Sequence, residues 1–180
     1  MRILPEHTQA IAVDYQEKLI PAIADKELLI TNSKILLAGL ELLNIPVLVS
    51  RQYPKGLGDT VEEIRAVTGK AKILDKSTFS CYQDAGIKQA VDQAGRKNVL
   101  ICGTEAHVCV LQTAVDLLEA GYNVFYVVDC AGSRKAGDKK FGVKRALREG
   151  ALPVTYESVL FELTAAASSP VFKDISRLVK

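Results

Sequence analysis

Long apolar runs and an excess of charge of one sign are both missing from this chain of 180 residues. Apolar runs such as residues 99–102 and 124–128 are far shorter than the ~20 residues that a membrane-spanning helix needs. Lys and Arg together number 23 against 21 Asp and Glu, which leaves a formal net charge of +2. This balance gives no reason to expect a nucleic acid or an anionic membrane as a partner.

Histidines and closely paired cysteines are equally scarce. The histidines are His7 and His107, and no cysteine belongs to a Cys-x-x-Cys pair, so the sequence has no zinc-binding pattern. Cys102 and Cys130 lie within apolar runs and are interpreted as small core residues. The N-terminus lacks a basic stretch followed by an apolar core, so we expect no signal peptide, a cytoplasmic location and no disulfides.

The sequence instead contains a regular alternation of short apolar runs and amphipathic stretches. Several runs are rich in Val, Ile and Leu without polar alternation, which is typical of strands covered by helices on both faces. The pattern predicts one α/β domain, residues 1–180, with a mainly parallel sheet. The predicted strands are residues 10–15, 47–50, 71–74, 98–103, 123–129 and 152–156.

Helical patterns fill the segments between these strands. Gly95, Gly121 and Gly150 follow three of the predicted helices, in a position where glycine commonly ends a helix. Asp59 is expected to cap the helix that it begins. The predicted helices are residues 33–43, 59–67, 83–94, 108–120, 138–148 and 157–166, with a last one after Pro170.

Three reactive side chains occur where strands of the predicted sheet end. Asp14 lies near the end of the first strand, Lys76 just after the third and Cys109 just after the fourth. Ligands of open parallel sheets bind beyond the carboxyl ends of the strands, so these three residues form a candidate site. Each also has a plainer interpretation: a capping aspartate, a surface lysine and a buried cysteine on the inner face of its helix.

The chemistry of these residue types is complementary. Cys109 is expected near a helix N-terminus, where the dipole favours a thiolate and unpaired N–H groups can form an oxyanion hole. The Asp14 carboxylate can take the thiol proton, and the Lys76 ammonium can stabilise the resulting anionic pair. The three residues therefore suit the roles of nucleophile, base and orienting charge in a triad without histidine.

Around these residues the sequence resembles the isochorismatase-like cysteine hydrolase superfamily, which includes nicotinamidases and N-carbamoylsarcosine amidase. The resemblance covers nearly the whole chain and is specific in four ordered motifs. These motifs are Val-Asp-Tyr-Gln from Val13, Gln-Tyr-Pro-Lys-Gly-Leu-Gly from Gln52, Lys-Ser-Thr-Phe-Ser from Lys76, and Cys-Gly-Thr-Glu-Ala-His-Val-Cys-Val-Leu-Gln-Thr from Cys102.

The resemblance implies a three-layer Rossmann-like fold with a six-stranded parallel sheet flanked by helices, and a catalytic triad of Asp14, Lys76 and Cys109. It also implies a cis peptide between Thr104 and Glu105, with the backbone N–H groups of Glu105 and Cys109 as the oxyanion hole. In the implied mechanism Cys109 attacks an amide-like carbonyl, Asp14 shuttles the proton to the leaving group, and water hydrolyses the thioester. Because relatives commonly associate, a homo-oligomer is expected.

The loop after the second predicted strand departs from the nicotinamidases, which carry an Asp and two His metal ligands in and after that loop. Here the loop reads Ser-Arg-Gln-Tyr-Pro-Lys from Ser50, with no His and with no Asp before Asp59. We therefore expect no metal and no other cofactor, and a metal-independent hydrolase that acts on a small amide-like substrate. The candidate substrate-binding residues are Gln52, Tyr53, Phe79 and His107, and His107 is alternatively a solvent-facing residue at the start of a helix.

Two other functions stay open at this point. A non-catalytic thiol module, used for redox sensing or ligand binding, would keep the same geometry without turnover. A nucleotide-binding protein rests on fold analogy alone, because neither G-x-G-x-x-G nor G-x-x-x-x-G-K-[ST] follows a strand. Isochorismatase itself cleaves a vinyl ether, so the resemblance fixes neither the reaction nor the substrate.

Overall fold

A parallel sheet of six strands lies at the centre of the computed structural model, which describes residues 1–180. Its strands are β1 (Thr8–Val13), β2 (Val47–Gln52), β3 (Lys72–Lys76), β4 (Asn98–Thr104), β5 (Asn123–Gly132) and β6 (Leu152–Val154). The order across the sheet is β3-β2-β1-β4-β5-β6, and every neighbouring pair is parallel. The predicted α/β fold with a six-stranded Rossmann-like sheet is confirmed.

Helices cover both faces of the sheet. They are α1 (Lys26–Leu42), α2 (Pro54–Leu57), α3 (Glu62–Arg65), α4 (Ala85–Gln93), α5 (Cys109–Glu119), α6 (Ala136–Arg148), α7 (Tyr156–Thr164) and α8 (Phe172–Leu178), with short 3-10 helices at Pro5–His7, Ile20–Ala22 and Cys81–Gln83. Helices α1, α7 and α8 share one apolar core with the sheet, and α4, α5 and α6 share the other. None of the helices combines the length and the apolarity that crossing a bilayer requires.

The central strand β1 contributes to both cores and is buried at all six of its positions. Ala12 belongs to the core that contains Leu36 of α1, whereas Val13 belongs to the core that contains Val110 of α5. Successive side chains of a strand point to opposite faces, so an uninterrupted apolar strand is what a sheet with two covered faces requires. The residues that follow β1 therefore start from a rigid position.

Helix α1 begins seven residues before the predicted start, at Lys26 instead of residue 33. Its buried face includes the polar residues Asn32 and Ser33, which interrupt the apolar pattern. Both are paired inside the fold: Asn32 donates to the carbonyl of Asp129, and Ser33 shares a hydrogen bond with the hydroxyl of Tyr15. Satisfied polar groups of this kind are compatible with burial, although they hide a helix from a pattern based on hydrophobicity.

The helix predicted at residues 59–67 is wrong in extent, because only the short helix α3, Glu62–Arg65, lies within that range, and α2, Pro54–Leu57, ends before it. Asp59 does not cap α3, whose first turn is preceded by Val61 without a side-chain cap. Instead the Asp59 carboxylate accepts hydrogen bonds from Arg51, at 2.8 Å, and from the N–H of Thr60, at 2.7 Å. The Asp59 carboxylate, which was predicted to cap a helix, thus pairs with Arg51.

The remaining helix ends follow local sequence signals. Gly95, Gly121 and Gly150 all have positive φ angles, of 63°, 80° and 117°, as the prediction of helix-ending glycines requires. Asp84 caps α4 by accepting from two backbone N–H groups. Thr155, which was predicted within the last strand, instead forms a capping box with Ser158 at the start of α7, and β6 ends at Val154.

Candidate active site

Asp14 directly follows β1 at the carboxyl edge of the sheet. Register pairs the preceding residue, Val13, with Ser50 of β2 on one side and Gly103 of β4 on the other. Asp14 adopts a positive φ of 50°, a conformation that aspartate tolerates better than most residues. Its carbonyl accepts a 2.6 Å hydrogen bond from the hydroxyl of Thr104, and its carboxylate is fully buried.

Lys76, the last residue of β3, reaches the same point from two strands away. Its ammonium lies 2.8 Å from Oδ2 of Asp14, and neither side chain is exposed. Further contacts run to Oε1 of Gln52, at 2.7 Å, and to the carbonyls of Thr78 and Phe79, at 3.2 and 3.1 Å. Burial is the largest single influence on Lys76 and on its own would lower its pKa. The charge and hydrogen bond of Asp14, together with Cys81 and Cys109, outweigh it and raise the pKa, so the site retains the ammonium.

Cys109 is the first residue of α5 and is only 7% exposed. Burial raises the pKa of its thiol far above the usual range, and the charge of Asp14 raises it further, against the opposing charge of Lys76. These influences oppose the one expected from the helix N-terminus, so the net shift is away from a thiolate. Desolvation and the adjacent carboxylate dominate, and Cys109 is a thiol that needs a base.

The loop between β4 and α5 leads into Cys109 and contains backbone N–H groups without partners. The peptide bond that joins Thr104 and Glu105 is cis. Neither the N–H of Glu105 nor that of Cys109 has a hydrogen-bond acceptor within the protein. Two unpaired N–H groups that flank a nucleophile are suited to hold the negative oxygen of a tetrahedral intermediate.

The side chain of Glu105 anchors this loop to the end of β5. Its carboxylate, 9% exposed, accepts hydrogen bonds from the backbone N–H of Arg134 at 3.0 Å and from Nε of the same residue at 3.1 Å. Burial on its own would raise the pKa of Glu105, but these hydrogen bonds lower it below the usual value. The carboxylate is thus ionised and engaged within the protein, away from reaction chemistry.

The four candidate substrate-binding residues lie in different surroundings. Tyr53 and Phe79 are 59% and 56% exposed. Both contact Lys76 through their backbones: the N–H of Tyr53 donates to the Lys76 carbonyl, and the carbonyl of Phe79 accepts from the Lys76 ammonium. Both polar atoms of the Gln52 amide are occupied, by Lys76 and by the carbonyl of Ser77. His107 shares a 3.0 Å hydrogen bond with Ser133. Substrate contacts by all four residues stay predictions.

Two residues of the site were not recognised in the sequence. The hydroxyl of Ser50 donates to Oδ1 of Asp14 at 2.7 Å, and Sγ of Cys81 lies 3.4 Å from that hydroxyl. The only sequence signal is the position of Ser50 at a strand end.

No group of three or more His, Cys, Asp or Glu side chains is arranged to hold a metal ion.

Comparison with known proteins identifies the family to which this fold belongs. Residues 8–158 match the family described as Isochorismatase domain. The chain belongs to the isochorismatase family. It is 38% identical over 178 residues to isochorismatase domain-containing protein 1 of Salmo salar, covering 99% of this chain and 62% of the relative. It is 37% identical to isochorismatase domain-containing protein 2A of Mus musculus, covering 99% of this chain and 85% of the relative.

A solved isochorismatase-fold structure, named MAR1 ribonuclease from Caenorhabditis elegans, superposes with a TM-score of 0.93 at 37% identity. The superposition covers 99% of this chain and 92% of that one. The chain spans less than two thirds of the salmon relative, so that protein's activity as a whole does not transfer with the domain. The family and its hydrolase fold are established, and the reaction is a separate question.

Proposed function

We propose that this isochorismatase-family protein is a cysteine hydrolase that cleaves the C–N bond of a small amide-like substrate without a metal. The observation that carries the proposal is the fully buried ion pair of Asp14 and Lys76. Both charges shift the pKa of the Cys109 thiol, Asp14 upward and Lys76 downward. A buried carboxylate beside a protonated nucleophile is the arrangement of a general base.

The first half of the reaction forms a thioester. Sγ of Cys109 attacks the carbonyl carbon while its proton passes to the Asp14 carboxylate, and the carbonyl oxygen becomes an oxyanion. The N–H groups of Glu105 and Cys109, which lack other acceptors, donate to that oxygen. The C–N bond then breaks as Asp14 returns the proton to the leaving nitrogen, which departs as an amine or as ammonia.

The second half regenerates the enzyme with one water molecule. Asp14 takes a proton from water, the hydroxide adds to the thioester carbonyl, and the C–S bond breaks with return of the proton to Sγ. The net reaction converts an amide and water into a carboxylic acid and an amine. Lys76 stays charged throughout, and its contacts with Asp14, Gln52 and two carbonyls keep the base in place.

Ribonuclease activity is the second candidate, because the Caenorhabditis elegans relative bears that name. A phosphodiester would bring negative charge next to Asp14. The contacts of the Lys76 ammonium all lie within the protein, so it is poorly placed to neutralise a phosphate. A neutral carbonyl is therefore the better match to this site.

The test is turnover of a panel of primary amides, N-substituted amides and carbamoyl compounds, with an RNA oligonucleotide as the competing substrate class. We expect release of ammonia or amine and a mass increase of the intact protein that corresponds to an acyl adduct on Cys109. Turnover should not fall when a chelator is added. Cys109→Ala and Asp14→Asn should each reduce turnover by about 10³-fold or more. Cys130→Ala, which removes a buried thiol from the α1 side of the sheet, is the matched control and should retain turnover.

Three outcomes would contradict the proposal. Amide turnover that survives in Cys109→Ala would show that Cys109 is not the nucleophile. RNA cleavage that depends on Cys109, in the absence of amide turnover, would favour the ribonuclease. A protein that binds amides, with unchanged affinity in Cys109→Ala and no hydrolysis, would be the non-catalytic thiol module.

A further inference from the structure

Asp14 is held from a second side, opposite to Lys76. Lys76 contacts Oδ2 of the carboxylate, whereas the hydroxyl of Ser50 donates to Oδ1 at 2.7 Å. Ser50 is fully buried, so its hydroxyl has no access to water. A carboxylate only accepts hydrogen bonds, which commits the Ser50 proton to Asp14 and leaves the serine oxygen as an acceptor.

Cys81 supplies a donor to that oxygen. Its Sγ lies 3.4 Å from Oγ of Ser50, and the residue is completely buried. Burial, and then the charge of Asp14, raises the pKa of Cys81 to about 11. The thiol is therefore protonated at neutral pH and keeps the hydrogen that the contact with Ser50 needs.

Cys81 is itself fixed to the helix that carries the nucleophile. Its backbone N–H donates to the hydroxyl of Thr113 at 2.8 Å, and that hydroxyl donates to the carbonyl of Cys109 at 2.6 Å. The contacts form a continuous chain from Cys109 through Thr113, Cys81 and Ser50 to Asp14. The same chain connects the first turn of α5 to the carboxylate that would take the thiol proton.

We propose that Ser50 and Cys81 are positioning residues, which hold the Asp14 carboxylate in the orientation that accepts the proton of Cys109. Lys76 alone fixes one oxygen and leaves rotation of the carboxylate plane free. The Ser50 hydrogen bond fixes the second oxygen, and Cys81 fixes the hydroxyl in turn. The inference rests on the proposed function only in taking Asp14 as the base, and it does not depend on which substrate is hydrolysed.

The test is the rate at which acrylamide labels Cys109 at pH 7.5, read by peptide mapping with fragmentation to separate the cysteines. In this addition Sγ bonds to the terminal alkene carbon, and the proton displaced from sulfur is balanced by one that enters at the adjacent carbon. Ser50→Ala should slow labelling about ten-fold, because an oriented base is lost, while Ser50→Thr restores the hydroxyl and most of the rate. Thermal melting establishes that each variant is folded.

Cys81 gives a second and independent arm. Cys81→Ala should slow labelling about three-fold, since a thiol is a weak donor, and Cys81→Ser should restore the rate. The double variant Ser50→Ala/Cys81→Ala should label no more slowly than Ser50→Ala alone, because Cys81 acts through Ser50. Cys130 is a buried cysteine in the opposite core, so Cys109 in the Cys130→Ala variant should be labelled at the parental rate.

Either of two results would overturn the inference: parental labelling in both alanine variants, or additive effects in the double variant. Additivity would mean that Cys81 acts independently of the serine. If Ser50→Ala fails to fold, the contrast between Cys81→Ala and Cys81→Ser decides. If the alanine variants label more slowly as expected, but the parent protein hydrolyses no amide, the proposed function would be contradicted and this inference would stand.

Discussion

At the scale of single residues, Cys109 is buried, and its thiol is subject to the opposite charges of the Asp14–Lys76 ion pair. The free thiol is stable because transfer of its proton to water would leave a thiolate in a poorly solvated position next to a carboxylate. Transfer to Asp14 instead removes that carboxylate charge at the same moment, and Lys76 then faces a single anion. In the proposed mechanism, reactivity therefore depends on the concerted transfer, and hence on the orientation of Asp14.

The first prediction concerns Arg134, which ties the loop between β4 and α5 to the segment after β5 through the buried carboxylate of Glu105. Arg134→Met removes the guanidinium, which is 62% exposed, and leaves the backbone N–H of residue 134 bonded to Glu105, so it should lower the unfolding free energy modestly at pH 7, measured with urea. Because the folded pKa of Glu105 is depressed, its stabilisation is present above the unfolded pKa and is lost as the pH falls through the folded pKa. The cost of the substitution should therefore shrink toward pH 3.

Arg145→Met is the matched control for this prediction. Arg145 is a 63% exposed arginine that lies 3.5 Å from Glu149 within α6, and its removal should change stability by less than about 0.5 kcal/mol at any pH. Equal losses for the two variants would show that Glu105 gains nothing specific from Arg134. A loss in Arg134→Met that does not vary with pH would show that the effect lies in packing instead of charge.

Individual site residues differ in how far the sequence reveals them. Asp14, Lys76 and Cys109 could be selected because each stands where an apolar strand ends, and strand ends of a parallel sheet converge. Ser50 and Cys81 could not, because their roles come from contacts with residues 36 and 31 positions away along the chain. A serine at a strand end and a lone cysteine have no distinguishing sequence pattern.

At the scale of elements, the approach of β4 to β1 depends on Gly103. A Cβ atom at this position would lie 2.0 Å from the carbonyl oxygen of Val13, and the φ angle of +122° is one that other residues rarely adopt. Gly103→Ala should therefore destabilise the protein by at least ~2 kcal/mol in urea unfolding. It should also slow labelling of Cys109, because the strand ends that carry Asp14 and Thr104 must separate.

Gly137 provides the control for Gly103. It lies in the first turn of α6, and a Cβ atom there would meet nothing within 4 Å. Gly137→Ala should stabilise the protein by about 0.5 to 1 kcal/mol, because alanine is the better helix former and restricts the unfolded chain. If Gly103→Ala proved equally harmless, the close packing of β4 on β1 would not be required for folding.

The elements themselves follow from sequence where periodicity is uninterrupted. All six strands and the helices α4 to α7 were predicted close to their observed positions, because apolar runs and glycine stops mark them. The start of α1 was not, because Asn32 and Ser33 satisfy their hydrogen bonds only with Asp129 and Tyr15 from distant parts of the fold. The homo-oligomer expected from the resemblance stays a prediction, since an intermolecular contact has no comparable periodic signal.

At the scale of the whole molecule, all four cysteines are unpaired and buried, two in each core. Burial raises the pKa of Cys81 to about 11 and that of Cys102 to about 12, and it raises those of Cys109 and Cys130 as well. Unfolded thiols ionise near pH 8.5. Between these values the folded protein holds protons that the unfolded chain has released, so stability falls as the pH rises.

The last prediction is a steep alkaline loss of stability. Each such thiol contributes about 1.4 kcal/mol per pH unit, so four together lower the stability by about 5 kcal/mol for each pH unit, a slope that removes the 5 to 15 kcal/mol of a typical domain within about one to three units. Urea unfolding with reductant present should show thiol-linked stability unchanged from pH 6 to 8 and lost sharply above about pH 9. Cys102→Ala should reduce the slope by about one proton, whereas Val99→Ala, a buried apolar control on the same strand, should lower stability without changing the slope. A slope that Cys102→Ala leaves intact would show that thiol ionisation does not drive the alkaline transition.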